Sequence, residues 1–269
     1  MRITVLGGGQ TGARFLADLL RVAGTDLRLS AVVPTTNDLY AYGLKVCPDI
    51  DAVLTACGTG PADDGDHVRT VLTSLGAEPT WLPWNDRTVA IDLVRTEMMQ
   101  AGYDLTDVTT ALTQRLDLGV DVFPMSNDRL EHHVVIEDEA GTRAIHIAEY
   151  VARHLESPAR DQVFIGLDSA VASPAALEAI GSSDLIVLGP SSIALHLDPL
   201  LRLPSVYKAV VGSPGPVVGV AGSEPDHPHL REVTGAAAHA REHFADLVDV
   251  WASGTAAEVL STAREAVRR

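Results

Sequence analysis

Cysteine is nearly absent from this chain. Cys47 and Cys57 are the only two in 269 residues. They lack the spacing of metal-binding cysteines, so a disulfide framework and a cysteine zinc site are excluded, and both read as reduced, buried small residues of a cytosolic protein. Aromatics are scarce at 4%, against 46% hydrophobic residues overall, so the core must be built mainly from Val, Leu, Ile and Ala. Positive charge is in short supply, with 20 Lys and Arg against 36 Asp and Glu and a formal charge of −16. Such a surface repels polyanions, which argues against nucleic acid and anionic membranes as partners. Any phosphate must be held locally, by glycine amides, a metal ion or a few placed cations. No run approaches the roughly 20 apolar residues of a membrane span. The first helix carries Arg14 and Asp18 behind a run of glycines, so the start of the chain does not read as a signal peptide. These absences predict a cytoplasmic protein.

What is present is organised around Arg2 to Leu20, RITVLGGGQTGARFLADLL. Ile3, Val5 and Leu6 suit a buried strand. Gly7, Gly8 and Gly9 break it, and after Gly12 the apolar residues Phe15, Leu16, Leu19 and Leu20 fall on one helical face. Strand, glycine turn and helix open a nucleotide-binding α/β fold, with free N–H groups at the helix start to receive a phosphate. Gly7, Gly9 and Gly12 satisfy the spacing G-x-G-x-x-G. A dinucleotide site also needs a carboxylate at the end of the second strand. That strand, Leu27–Val33, ends instead in Pro34, Thr35 and Thr36. An NAD-dependent oxidoreductase is therefore the weakest reading, and a packing role for the glycines competes with the phosphate site.

The loop from Pro34 to Leu54 follows the second strand and carries Asp38, Asp49 and Asp51. Carboxylates beside a phosphate site need a cation between, and Mg²⁺ is the usual one. Asp38, Asp49 and Asp51 are thus the candidate metal ligands. Asp38 also reads as a turn residue, and Asp49 as a helix N-cap after Pro48.

Further along, 58–65 reads as a loop and Asp66–Leu75 as an amphipathic helix. Pro79–Arg87 is a loop whose Trp81 and Trp84 line a ring-binding pocket or cap the core. Helices are predicted at Thr88–Gly102 and Thr106–Leu116, then a short strand at Val120–Phe123. A hairpin pairs His132–Glu137 with Thr142–Ile147. In it His132 is expected at the surface and His133 in the core, because adjacent strand residues face opposite ways. From Val163 the parallel-sheet rhythm returns: a strand at 163–167, a helix at Ser173–Gly181, a strand at Asp184–Leu188, strands at Val206–Val211 and Pro216–Val220, and helices at Val233–Phe244 and Thr255–Arg269. Gly189, Ser191 and Ser192 form a second phosphate-type loop. The order predicts one α/β domain over 1–269, a Rossmann-like doubly wound, mostly parallel sheet with an inserted helical and β-hairpin subregion at about 60–160.

These loops, in this order, resemble the 2-phospho-L-lactate transferase family of coenzyme F420 biosynthesis over roughly residues 2 to 209. The resemblance rests on TVLGGGQTG, YGLKVCPDIDAVL from Tyr42, GDH at Gly65, NDRTVAIDLVRTE from Asn85, PMSND at Pro124, AEYVARH from Ala148 and GPSSIALHLDPLLRLP from Gly189. It implies a homodimer of Rossmann-like fold. The implied reaction moves a phospholactyl or phosphoenolpyruvyl group from a guanosine diphosphate conjugate to a hydroxyl of a deazaflavin, with Mg²⁺ and release of GMP. Such attack on a diphosphate needs charge neutralisation and in-line positioning more than covalent catalysis. On this reading Asp38, Asp49 and Arg87 are catalytic. Gly8, Gly9, Thr11, Gly12, Asn37, Asp86, Ser126, Gly189, Ser191 and Ser192 bind the nucleotide conjugate and the acceptor.

The chain differs from the family pattern at four loops. Asn37–Asp38 replaces an acidic pair, Asn85–Thr88 reads N-D-R-T for G-D-R-D, Ser126–Asp128 reads S-N-D for S-D-D, and Ser191–Ile193 reads S-S-I for S-N-P. Near the C-terminus the run at 212–222 (GSPGPVVGVAG) stands without the family's K-G-P. Two alternatives stay open: a paralogue with another acceptor, and a nucleotide-binding regulatory protein without catalysis.

Overall fold

The computed structural model describes residues 1–58, 65–138, 141–221, 227–235 and 239–268. The predicted loop at 58–65 lies almost wholly outside the described residues. So do the hairpin turn at 139–140, positions 236–238 of the helix expected over 233–244, and Gly222 of the 212–222 run.

The chain opens as expected with β1 (Arg2–Leu6), α1 (Gly9–Val22) and β2 (Arg28–Val33). A hairpin of β3 (Leu39–Ala41) and β4 (Leu44–Val46) follows, then α2 (Pro48–Cys57), α3 (His67–Ser74), α4 (Asp86–Gln100), α5 (Leu105–Arg115) and β5 (Asp121–Pro124). Next come β6 (Glu131–Asp138), β7 (Gly141–His146), the helix Ile147–Arg153 and β8 (Ala159–Ile165). The chain closes with β9 (Leu185–Leu188), β10 (Val217–Val220), β11 (Val250–Ala252) and intervening helices.

Six strands form one parallel sheet in the order β11-β10-β9-β1-β2-β5. This is the doubly wound order, with its switch point between β1 and β9. The central strands are buried on both faces, which explains their unbroken apolar sequence. Ile3, Val5, Leu185 and Val187 face a core shared with α1, α2 and α5. Leu6, Ile186 and Leu188 face a second core, shared with the helices Pro174–Gly181 and Pro204–Val211.

The structure corrects several sequence expectations. β8 does not rejoin the parallel sheet; it pairs antiparallel with β6 in a separate three-stranded sheet of order β7-β6-β8. The stretch 60–160 is not a single insertion, because β5 lies within it and pairs with β2. Val206–Val211 is helical, started by Pro204 and held by Val206 and Val210, which bury on one face one turn apart. The helix expected over 233–244 is broken by Gly235, which ends Pro228–Thr234 at φ 68°. His132 and His133 have exchanged roles: His132 is fully buried, stacked 4.3 Å from Phe164, and His133 is half-buried. His132 shares its face of β6 with Val134 and Ile136, both buried, so its side of the strand is the core side. Asp49 is not the N-cap of α2; Cys47 stands there, with Pro48 and Asp49 in the first turn.

Two histidines of the small sheet are held neutral. Burial lowers His132 to about 3 and His146 to about 4. His146 Nδ1 accepts from the Ala148 N–H at 3.1 Å, so the ring caps its helix, and Nε2 lies 3.2 Å from the Asp38 carbonyl, to which it donates. Protonating Nδ1 would break the cap. The unfolded chain takes up these protons first, so stability present above pH 6.5 is lost as pH falls toward 4, at up to about 1.4 kcal/mol per pH unit for each histidine. Urea melts at pH 7 and pH 5 test this. The variant His146→Asn keeps a capping side chain and is expected to lose less stability on acidification than the wild type; an equal loss would rule the mechanism out.

Candidate active site

The carboxyl ends of β1 and β9 lie side by side, and each runs into a glycine turn. The two turns interlock through Ser191, whose Oγ accepts from the Gly8 N–H at 3.1 Å and donates to the Gly8 carbonyl at 3.0 Å. A Cβ at Gly7 or Gly12 would meet that Oγ at 2.5 or 2.6 Å. Part of the glycine run is therefore explained by packing, and Ser191 and Gly12 act as the frame of the turn. Gly189 belongs to the same frame, its N–H bonded to the Leu6 carbonyl at 2.9 Å.

A cleft of about 550 Å³ opens over these turns. Of the predicted site residues, Gly8, Gly9, Thr11, Asn37, Asp49, Asp51 and Ser192 line it. Its polar end is the N-terminus of α1, which no side chain of its own cap closes. Its wall also has an apolar and aromatic part, with Trp81, Leu82, Trp84, Ile147 and Val151.

Asp49 reaches into the polar end. Its Oδ1 accepts from the Gly9 N–H at 2.6 Å, the first free donor of α1, and its Oδ2 from Asn37 Nδ2 at 2.8 Å. His196 Nε2 stands 3.2 Å from Oδ1. Sequence reasoning passed over His196. It sits in the turn Ile193–Leu197, capped by Ser192 Oγ, and its ring lies against Gly9, where a Cβ would meet it at 2.6 Å. Its only sequence signal is a histidine in an apolar run just after the second phosphate-type loop.

The three candidate metal ligands are held by different partners. Asp38 pairs with Lys45 at 2.9 Å and accepts from the Cys47 thiol at 3.2 Å. Burial pushes the Asp38 carboxyl up against the pull of Lys45; burial also lowers the Lys45 ammonium, but Asp38 and its neighbours together more than offset it, so Lys45 stays charged. Burial raises the Cys47 thiol well above its ordinary value. Asp51 is bound by the fully buried Arg95 and accepts from the Cys47 N–H at 3.3 Å. Arg95 also pairs with Asp92, whose Oδ2 accepts from Trp84 Nε1 at 2.9 Å. A buried network thus backs the aromatic wall. Among the described residues, no group of three His, Cys, Asp or Glu side chains is arranged to hold a metal ion.

Two oxygens nevertheless suit a hard cation. Asn37 Nδ2 donates both to Asp49 and to the Leu195 carbonyl, at 3.2 Å, which fixes the amide and leaves Oδ1 as the acceptor. That Oδ1 and Asp38 Oδ1 are buried, with no hydrogen-bond partner among the described residues. Mg²⁺ takes one or two protein oxygens and completes its shell with water and substrate phosphates, so this donor set fits it.

The remaining predicted residues lie away from the cleft wall. Asp86, in the first turn of α4, accepts from the Val68 N–H at 2.9 Å and meets His67 at 2.8 Å, so it ties α3 to α4. Those bonds hold its carboxyl below the usual range. Arg87 Nη2 lies 3.4 Å from the Leu54 carbonyl at the end of α2. Ser126 donates to the Val171 carbonyl at 2.6 Å and accepts from the Asp128 N–H at 3.0 Å, within its own loop. Both cysteines are free, and no described helix is long and apolar enough to cross a membrane.

The family model described as 2-phospho-L-lactate transferase CofD matches residues 3–265. The chain is 38% identical to a phosphoenolpyruvate transferase of Kitasatospora aureofaciens, over 99% of this chain and 89% of the relative. It is 37% identical to another so named from Streptomyces coelicolor, over 93% of this chain and 84% of the relative. Among solved structures, a UPF0052-family protein of Bacillus halodurans superposes with a TM-score of 0.61 at 18% identity, covering 94% of this chain and 79% of that one. That likeness concerns the fold.

Proposed function

The chain belongs to the 2-phospho-L-lactate transferase CofD family and is a transferase, and from that premise we propose that it moves a phosphoenolpyruvyl- or phospholactyl-type group from a guanosine diphosphate conjugate to a hydroxyl of a deazaflavin. The observation that carries this reading is that one cleft is lined by two chemically different sets of groups. Hydrogen-bond donors at the N-terminus of α1 and the aromatic side chains Trp81 and Trp84 line the same cleft. A diphosphate conjugate needs the first and a flat ring suits the second.

In the proposed reaction the acceptor oxygen forms a bond to the distal phosphorus. The bond from that phosphorus to the bridging oxygen breaks, GMP departs, and the hydroxyl proton passes to water. Bound Mg²⁺ would neutralise charge developing on the phosphate oxygens, and Asn37, Asp38 and Asp49 are the residues to hold it. The chain itself supplies position. The α1 amides and Ser192 orient the diphosphate, while Trp81 and Trp84 fix the plane of the acceptor and keep water from the attacking face. Relatives named phosphoenolpyruvate transferase favour the phosphoenolpyruvyl group.

Incubating the protein with guanosine diphosphate esterified on its distal phosphate by enolpyruvate, the deazaflavin and Mg²⁺ tests this by mass spectrometry. The expected result is one phosphoenolpyruvyl group added to the deazaflavin for each GMP released. Consumption of the conjugate without a deazaflavin adduct would overturn the acceptor assignment, and no consumption would overturn the donor.

A further inference from the structure

Three donors converge on one carboxylate at the mouth of α1. Gly9 N–H and Asn37 Nδ2 bond Asp49 at 2.6 and 2.8 Å, and His196 Nε2 faces it at 3.2 Å. The arrangement is built to close tolerance. A Cβ on Gly8 would strike Asp49, and one on Gly9 would strike His196. Asn37 and His196 are each only 8% exposed and line the cleft. His196 Nδ1 is buried and has no partner among the described residues, and it is Nε2 that is turned to this carboxylate. A backbone amide at a helix N-terminus, a side-chain amide and an imidazole form a nest for a tetrahedral oxyanion as readily as for a carboxylate.

We propose that this nest is the seat of a donor phosphate, and that Asp49 is its internal occupant, which the phosphate must displace. Here Asp49 is not only a candidate metal ligand. With the nest filled by its own carboxylate, the protein is closed to a bare diphosphate, since two anions cannot share three donors. A cation gives Asp49 somewhere else to go, so donor binding becomes dependent on Mg²⁺. The proposal rests on the nucleoside diphosphate reading above and adds to it the residue that couples metal to donor.

Calorimetric titration of the intact chain with GDP, in EDTA and in Mg²⁺, tests it. Wild type is expected to bind GDP at least tenfold more weakly in EDTA than in Mg²⁺. Asp49→Asn removes the competing charge and is expected to bind GDP in EDTA at least tenfold more tightly than wild type, with less than a twofold gain from Mg²⁺. Asp49→Ala serves as a second variant should the asparagine compete for the same donors, and thermal melts confirm that each is folded. His196→Ala, which removes one donor, should weaken binding to the Asp49→Asn background severalfold. Wild type that binds GDP in Mg²⁺, with folded Asp49 variants no tighter in EDTA, overturns the proposal and leaves the function standing. Pyrophosphate binding that strengthens in the variants, with no added gain from the guanosine, supports the nest and overturns the guanosine donor. No binding of GDP or pyrophosphate to any of these proteins overturns both.

Discussion

Replacing Arg95 with methionine is expected to remove about 3–5 kcal/mol of stability, roughly a fifth or more of what a domain of ordinary stability has. Arg95 is fully buried on α4. Its guanidinium binds Asp51 of α2 and Asp92 of α4, and Nη1 also donates to the Lys45 carbonyl at 3.2 Å. Methionine fills much of the same space, so the loss comes from charge: two carboxylates stay in the interior without their cation. Burial and the nearby Asp51 already push Asp92 up to about 8, against the pull of Arg95. Without the guanidinium the Asp92 carboxyl rises further. A carboxyl raised on folding holds its proton in the folded state, so its contribution falls as pH climbs from 3.8 through the raised value. The deficit of Arg95→Met should therefore be larger at pH 9 than at pH 5. Urea melts at the two values decide it. A variant within about 1 kcal/mol of wild type at pH 9 would show that the network is dispensable. The effect should reach the cleft as well, since Asp92 holds Trp84 by its indole N–H.

The parallel sheet was legible because its strands are buried on both faces and carry runs of β-branched and aliphatic residues next to glycine turns. The same cue misled at Val206–Val211, where β-branched residues sit one helical turn apart and Pro204 sets the start. Periodicity cannot name a strand's partner, so nothing in the apolar run of β8 distinguishes its antiparallel pairing with β6 from a place in the parallel sheet. The β3–β4 hairpin escaped notice because its turn is Tyr42–Gly43, with both residues at positive φ. Tyrosine is not a residue that announces such a turn.

For the site, the glycine turns, Asn37 and the acidic loop could be found by composition and order. What the carboxylates do could not. Asp51 sits two residues after Asp49 in α2, yet one faces Arg95 and the other the mouth of α1. Which cation or donor a carboxylate meets is decided by elements distant in sequence, α4 for Asp51 and the loop after β9 for Asp49. His196 was invisible for the same reason. It is 147 positions from the aspartate it faces, and no local pattern links the two.

Gly9→Ala is expected to lower transfer activity on the order of 10²-fold, the scale that a misplacement of about 1 Å imposes on a positioned substrate. Gly9 has φ 68°, a conformation that costs an alanine roughly 1–2 kcal/mol. Its new methyl would also overlap His196, with 2.6 Å to the ring. Gly76→Ala separates the two effects, because Gly76 has the same φ of 68° and nothing within 4 Å of its Cβ position. The control should lose stability by the conformational cost alone and keep its activity. Gly9→Ala should lose more stability than the control, because the ring must move. His196 and Asp49 then move with it, and the donors at the head of α1 lose their common focus. Thermal melts and single-turnover rates on the two variants give the comparison. Equal rates for Gly9→Ala and Gly76→Ala would mean that the transferred phosphate is held elsewhere in the cleft.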